Sequence, residues 1–230
     1  MELAPLMGIG LALSAAAVQY AGRVADVGNL LAAALAVTTL ALLTRGLHLD
    51  GLADLTDGLA SYRDPEGTRA VMRAPDTGPL GVAAVVLVLL VQAAALSSCL
   101  QDHRGTASLV LAVVVGRLAI TAACVYVPAA TADGLGALVA GTVRRGVALA
   151  WTAGVTLAAG AYARVDPEAL GGADRRTVQA VLAVGAGLTV AWLLRRHAVR
   201  RVGGLTGDVL GAVCEVATTV ALVVLAASSS

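Results

Sequence analysis

The chain has 230 residues, of which 58% are hydrophobic and 13% charged. A soluble domain carries about a quarter charged residues, so this chain is too poor in charge to face water on all sides and is read as an integral membrane protein. Every one of the 16 basic residues is arginine, the net charge is +1, and 3% aromatics without Phe make no base-stacking platform, so no nucleic-acid partner is expected.

Apolar runs near the length of about 20 residues that a helix needs to cross lipid recur along the chain. In order they are Leu3–Tyr20, Val27–Thr44, Pro79–Ser98, Ala107–Val127, Val147–Tyr162, Thr177–Leu194 and Val209–Ala227. The first has neither a basic leader nor a small-residue cleavage site and reads as a retained span, not a signal peptide. The fifth and sixth are short and rich in glycine, so six spans is the alternative count. Lipid-exposed irregular backbone is excluded, and the abundant small residues allow close helix packing. The expected fold is therefore all-α: a polytopic transmembrane bundle of about seven spans, forming a single domain over residues 1–230 without a sequence repeat. Cys99, Cys124 and Cys214 fall in apolar runs without metal-ligand spacing and read as small buried hydrophobes.

Arginine placement orients the bundle. The second, fourth and sixth loops hold ten arginines (45, 63, 69, 73, 144, 145, 195, 196, 200, 201), against five (23, 104, 164, 175, 176) in the other three. The positive-inside tendency puts the first group in the cytoplasm, with the protein in the cell (inner) membrane. Asp50, Asp54, Asp57, Asp64, Glu66 and Asp76 all lie in the second loop, an Asp-rich segment over residues 45–78.

Asp50, Asp54 and Asp57 are spaced i, i+4, i+7, which places them on one helical stripe about 60° wide. Ser61 and Asp64 extend it, so the second span is expected to continue as a helix beyond the membrane. Three carboxylates on one stripe repel, and an oxygen-only donor set suits Mg²⁺, with Mn²⁺ also possible, better than zinc. The competing reading is a solvated acidic face. Gly51 and Gly58, costly inside a helix, point instead to close approach by a ligand or another backbone. His48 beside the stripe is a candidate for metal or proton contact, or a plain interfacial histidine.

Arg117 lies in mid-span, where a charge must face the bundle interior; its forked guanidinium suits phosphate. The stretch 203–215 joins Gly203, Gly204, Thr206, Gly207 and Asp208 at the start of the last span, with Glu215 on the Asp208 face. Thr206 or Asp208 reads as a helix N-cap. Equally, the helix start with Arg200 and Arg201 reads as an anion site, or Asp208 as a further metal ligand. Met72-Arg73-Ala74-Pro75-Asp76 and Asp133-Gly134-Leu135-Gly136 read as turns.

The order Leu47-His48-Leu49-Asp50-Gly51-Leu52-Ala53-Asp54, Asp57-Gly58, Met72-Arg73, Gly78 and Gly81, then Arg117, Tyr126 to Pro128, Asp133 to Gly136, and Gly203 to Ala212 with Glu215, resembles the cobalamin synthase family. The resemblance covers about residues 4–227. Family members usually carry a further N-terminal segment, so the chain is expected to begin inside that region. The acid that many members place directly after Met-Arg falls here at Asp76. The resemblance implies transfer of the adenosylcobinamide phosphate moiety of adenosylcobinamide-GDP to α-ribazole or its 5′-phosphate, releasing GMP, with Mg²⁺ required. It implies Asp50 as catalytic base; Asp50, Asp54, Asp57 and Asp208 as metal ligands; and His48, Arg73, Arg117, Arg201, Thr206 and Gly207 as substrate contacts. Asp64, Asp76 and Glu215 are further candidates. Membrane lipid and other nucleotide-loop assembly enzymes are the expected partners. Two rivals remain on residue grounds: a CDP-alcohol phosphotransferase, whose Ala-Arg after Asp-Gly is missing here, and a cation transporter, which wants its acids nearer mid-bilayer.

Overall fold

A computed structural model describes residues 1–165 and 173–227. The architecture is all-helical, in chain order α1 (Ala4–Val24), α2 (Asn29–Leu43), α3 (Leu47–Ala60), α4 (Pro65–Met72), α5 (Pro79–Gln101), α6 (Gly105–Ala123), α7 (Gly134–Val139), α8 (Arg145–Val165), α9 (Ala173–Val202) and α10 (Gly207–Ala226). Among the described residues, five helices are long and apolar enough to cross a membrane: α1, α5, α6, α9 from Arg175, and α10. The α2–α3 pair, bent by 87°, raises that number to six at most. The expected count of about seven is therefore not confirmed, and the alternative of six equals the upper number. The fifth run does form a helix, α8, but it is not among the five.

The second departure is the shape of the acidic segment. The second span does not run on into the aspartates. It stops at Thr44, where Arg45 and Gly46 both take positive φ (54° and 71°). The Gly46 N–H donates to Ala41 O at 2.8 Å and Arg45 N–H to Leu42 O at 2.9 Å. This is the Schellman pattern that satisfies the last carbonyls of a helix. The chain leaves at nearly a right angle, and α3 lies across the end of the bundle.

The third departure concerns the arginine-rich sixth loop, which is helical. α9 continues to Val202, carrying Arg195 to Arg201 on its last turns. Arg195 donates from Nε to Ala123 O and from Nη2 to Val125 O, both at 2.8 Å, and so ties α9 to the end of α6.

Glycine sets how near the elements come. At Gly51 on α3, a Cβ would stand 2.7 Å from Cα of Asp208; at Gly211 on α10, one would stand 3.1 Å from Cα of His48. The two helices therefore cross almost backbone to backbone. Gly204, at φ 157°, lies so close to the backbone of Ala129 and Ala130 that a side chain would not fit. Leu205 N–H donates to Pro128 O (2.9 Å) and Ala130 N–H to Leu205 O (3.1 Å), a short parallel bridge between the loops before α7 and before α10. Gly204 thus packs backbone on backbone, while Gly203 faces the side chains of Arg69 and Pro65. The second, fourth and sixth connections, grouped by their arginines, meet at one end of the bundle.

The α3–α10 crossing predicts that Gly51→Val forces the helices apart. Overpacking costs about 1–3 kcal/mol, so thermal unfolding in detergent should show a clearly lowered midpoint. An unchanged midpoint would mean the crossing is loose.

Candidate acid site and the polar cluster beneath it

Because α3 crosses the start of α10, its outward stripe and Asp208 share one place. Asp50 is exposed, while Asp54, Asp57 and Asp208 are half-buried. Burial pushes the Asp54 carboxyl up to about 6, with further push from the charges of Asp50, Asp208 and Asp57. Those four carboxylates are therefore within electrostatic reach of one another across two helices. Arg73, exposed at the C-cap of α4, is near enough to act on the charge of Asp208.

Asp57 has a role that its spacing did not reveal. Its Oδ2 accepts from the N–H of Gly78 at 2.7 Å and its Oδ1 from the N–H of Gly81 at 2.8 Å. Gly78 is the N-cap of α5, so one carboxylate closes two of the unpaired donors at that helix start. A Cβ at either glycine would run into the same carboxylate. Asp57 thereby ties α3 to α5 and fixes the tilt of the stripe.

Other candidates occupy local structural positions. Asp64 is the N-cap of α4 and accepts from Gly67 N–H at 2.9 Å. Thr206 is the N-cap of α10, accepting from Val209 N–H at 3.2 Å, and Gly207 opens that helix. Arg201 donates to Arg63 O at 3.2 Å, and Arg69 to Val202 O at 2.6 Å, so these arginines strap α4 and its approach to the end of α9. Asp76 stands exposed in the turn before α5.

His48, Arg117 and Glu215 form a second group. His48 precedes Asp50 by two residues, about 200° round the helix, and so faces inward. Its Nδ1 lies 3.5 Å from Arg117 Nη2 and 3.8 Å from Glu215 Oε1. Arg117 is only 4% exposed, and its Nε has no hydrogen-bond partner among the described residues. Glu215 Oε2 accepts from Gln92 Nε2 at 2.9 Å, and the same amide reaches Thr219 Oγ1 at 3.0 Å. Cys214 Sγ, His48 and Glu215 place a sulfur, a nitrogen and an oxygen within 4.8 Å of one another. Gln92 is the member that sequence reading missed. Its signal was a lone amide in the third apolar run.

An all-helical bundle with five or six helices long and apolar enough to cross a membrane belongs to the class of polytopic membrane proteins. The family model described as Cobalamin-5-phosphate synthase matches residues 1–226, and the chain belongs to that family. The adenosylcobinamide-GDP ribazoletransferase of Frankia casuarinae is 46% identical over 236 residues, spanning 98% of this chain and 84% of the relative. Those of Nocardioides sp. and Corynebacterium diphtheriae are 42% identical (99% and 86% covered) and 28% identical (98% and 81% covered). No solved structure matches the chain.

Two consequences can be measured. Because folding raises the Asp54 pKa, the cost of ionising it appears as pH rises from about 4 to 6 and persists above. Asp54→Asn should stabilise the metal-free protein at pH 8, by on the order of 1 kcal/mol after solvent screening, and leave it unchanged below pH 4. Equal midpoints at pH 8 would remove the crowding of acids. Asp57→Ala and Gly81→Ala should both loosen α5, each lowering the unfolding midpoint and increasing amide exchange at residues 78–82. Protection unchanged in both variants would mean that the double cap is not the tie.

Proposed function

We propose that the chain performs the final nucleotide-loop step of cobalamin synthesis, the reaction named for its curated relatives. The acceptor hydroxyl of α-ribazole, or of its 5′-phosphate, attacks the cobinamide-side phosphorus of adenosylcobinamide-GDP. One P–O bond forms, the P–O bond to GMP breaks, and GMP departs with the bonding pair. Asp50, exposed on the stripe and free of backbone duties, takes the acceptor proton on a carboxylate oxygen. The observation that carries this reading is the α3–α10 crossing, which gathers Asp50, Asp54 and Asp208 in a chain of this family.

The donor set fits a hard divalent cation: it is all carboxylate oxygen, and Asp54 is held near 6 by burial and by neighbours that repel its charge. Asp50, Asp54 and Asp208 would hold Mg²⁺, or Mn²⁺ in its place, while Asp57 keeps α3 in position. When bound, the ion supplies charge neutralisation to the diphosphate. Arg73 at the rim adds a forked donor for a phosphate oxygen, and Asp76 borders the same opening. Loops rich in arginine surround this end, which supports its facing the cytoplasm from the inner membrane. Lipid and the other nucleotide-loop enzymes meet the protein there. A CDP-alcohol phosphotransferase or a cation transporter is not favoured, since the family and its relatives point to the corrinoid reaction.

Purified protein in lipid with adenosylcobinamide-GDP, α-ribazole and Mg²⁺ should release GMP and form a cobalamin; no GMP from folded protein would sink the reading. Asp50→Ala should lower turnover by about 10²-fold or more with membrane insertion unchanged, and retained activity would remove Asp50 as the base. A reporter at Arg69 should be accessible from the cytoplasm only; a periplasmic signal would reverse the orientation.

A further inference from the structure

The start of α3 is the least secured part of the acid site. Asp64 caps α4, Thr206 caps α10 and Asp57 closes the start of α5, but Gly46 at the N-cap of α3 offers no side chain. Gly46 takes positive φ, and a Cβ there would meet nothing within 4 Å, so the bend has no packing of its own. Asp50 stands on that first turn, its N–H donating to Gly46 O at 2.9 Å. Where α3 crosses α10, the contact is glycine on backbone. That sets how close the helices lie, yet it supplies no interlocking side chain to fix the roll of α3 about its own axis.

His48 is the side chain that can fix it. Its Nδ1 lies 3.5 Å from Arg117 Nη2 and, when bare, accepts from that guanidinium. The stem of Arg117 is closed in by α1, where a Cβ on Gly8 would stand 3.3 Å from Arg117 Cβ. Glu215, 3.8 Å from the same imidazole nitrogen, is held in turn by Gln92 of α5. The imidazole therefore ends against groups that four other helices hold still. Arg117 itself is not placed to meet a phosphate. The cleft above it, lined by Leu40, Leu49, Leu89, Gln92 and Glu215, has room for about one water molecule. A water there can accept from the buried, unpaired Nε–H, but a phosphate group cannot enter. A charge kept inside a bundle is costly and marks a functional constraint, and the group that Arg117 reaches is His48.

We propose that Arg117 and His48 are positioning residues for the acid site: Arg117 fixes the His48 imidazole, and His48 fixes the roll of α3 that keeps Asp50 and Asp54 turned toward Asp208 of α10. The proposal rests on the functional reading above, since it takes those acids as the ones that serve the diphosphate. Asp50 follows His48 by two residues, so whatever rolls one rolls the other. Each 10° or so of roll shifts a group about 5 Å from the helix axis by about 1 Å. Misplacement of about 1 Å can cost on the order of 10²-fold in rate. Asp57 anchors the far end of α3 to α5, and Arg117 with His48 anchors the near end to the interior of the bundle.

The test compares full-length native protein in lipid nanodiscs with Arg117→Gln, His48→Ala and the double variant. Mn²⁺ alone, followed by its electron paramagnetic resonance, probes the acid site without substrate. Groups that orient metal ligands from behind matter by about 10–100-fold, so each single variant should bind Mn²⁺ at least about tenfold more weakly. The double variant should match the weaker single within about twofold, because both residues act through one contact. The kcat for GMP release should fall about tenfold or more, with KM for adenosylcobinamide-GDP staying within about twofold of native. In metal-free protein, amide exchange should rise at residues 47–51 and stay native at residues 57–60, where Asp57 holds the helix. Loss of the Arg117 charge by itself would tighten cation binding, so a tighter Mn²⁺ site in Arg117→Gln overturns the proposal. A raised KM with unchanged Mn²⁺ affinity overturns it as well, being the mark of direct substrate contact. If Arg117→Gln fails to insert, His48→Ala, which alters only α3, decides by the same readouts. Folded native protein that binds no Mn²⁺ overturns the acid site and its positioning together. Mn²⁺ binding and exchange that change as expected, with no GMP released by native protein, overturn the transferase reading and leave the positioning standing.

Discussion

The near-contact of two helix backbones at Gly51 and Gly211 governs most of what happens at this end of the molecule. With larger residues there, α3 would ride higher over α10, and Asp208 would stand apart from the stripe carrying Asp50 and Asp54. With glycine, Asp208 comes near enough for its charge, with those of Asp50 and Asp57, to add to the burial that raises Asp54 to about 6. Ionising Asp54 among these neighbours is therefore electrostatically unfavourable.

A second constraint works at right angles to the first. The Schellman turn at Arg45 and Gly46 stops the second span and lays α3 across the bundle end. A helix lying across an end has one face toward water and one toward the core, so residues two apart in sequence serve different environments. Asp50 joins the outer acids, while His48 turns toward Arg117, Glu215 and Gln92. Asp57 holds this orientation by capping α5 with both of its oxygens.

The C-terminal motif illustrates how glycine can serve packing alone. Gly204 meets the loop before α7 and Gly136 of α7 meets Leu205 and Thr206, both backbone to backbone, and the bridge at Leu205 fixes the start of α10. Asp208 is then delivered to α3 by a helix whose origin is pinned. Arg69 and Arg201 brace the same junction through backbone carbonyls of Val202 and Arg63.

Composition and continuous apolar runs by themselves determined a helical membrane protein, because such runs satisfy their backbone hydrogen bonds in lipid as helices, whereas barrel strands alternate apolar and polar residues. Helical periodicity also placed Asp50, Asp54 and Asp57 on one stripe, since i, i+4, i+7 spacing is a property of the helix and needs no neighbour. The motifs in their order pointed to the cobalamin synthase family before any contact was known. Tertiary structure alone decided which of those groups meet. The crossing at Gly51 added Asp208, His48 met Arg117, Asp57 turned to the start of α5, and Gln92 joined Glu215. Each of these depends on contacts between residues 21 or more positions apart, which local periodicity cannot encode. The number of crossings was decided in the same way, by where helices stop and bend as well as by how apolar they are.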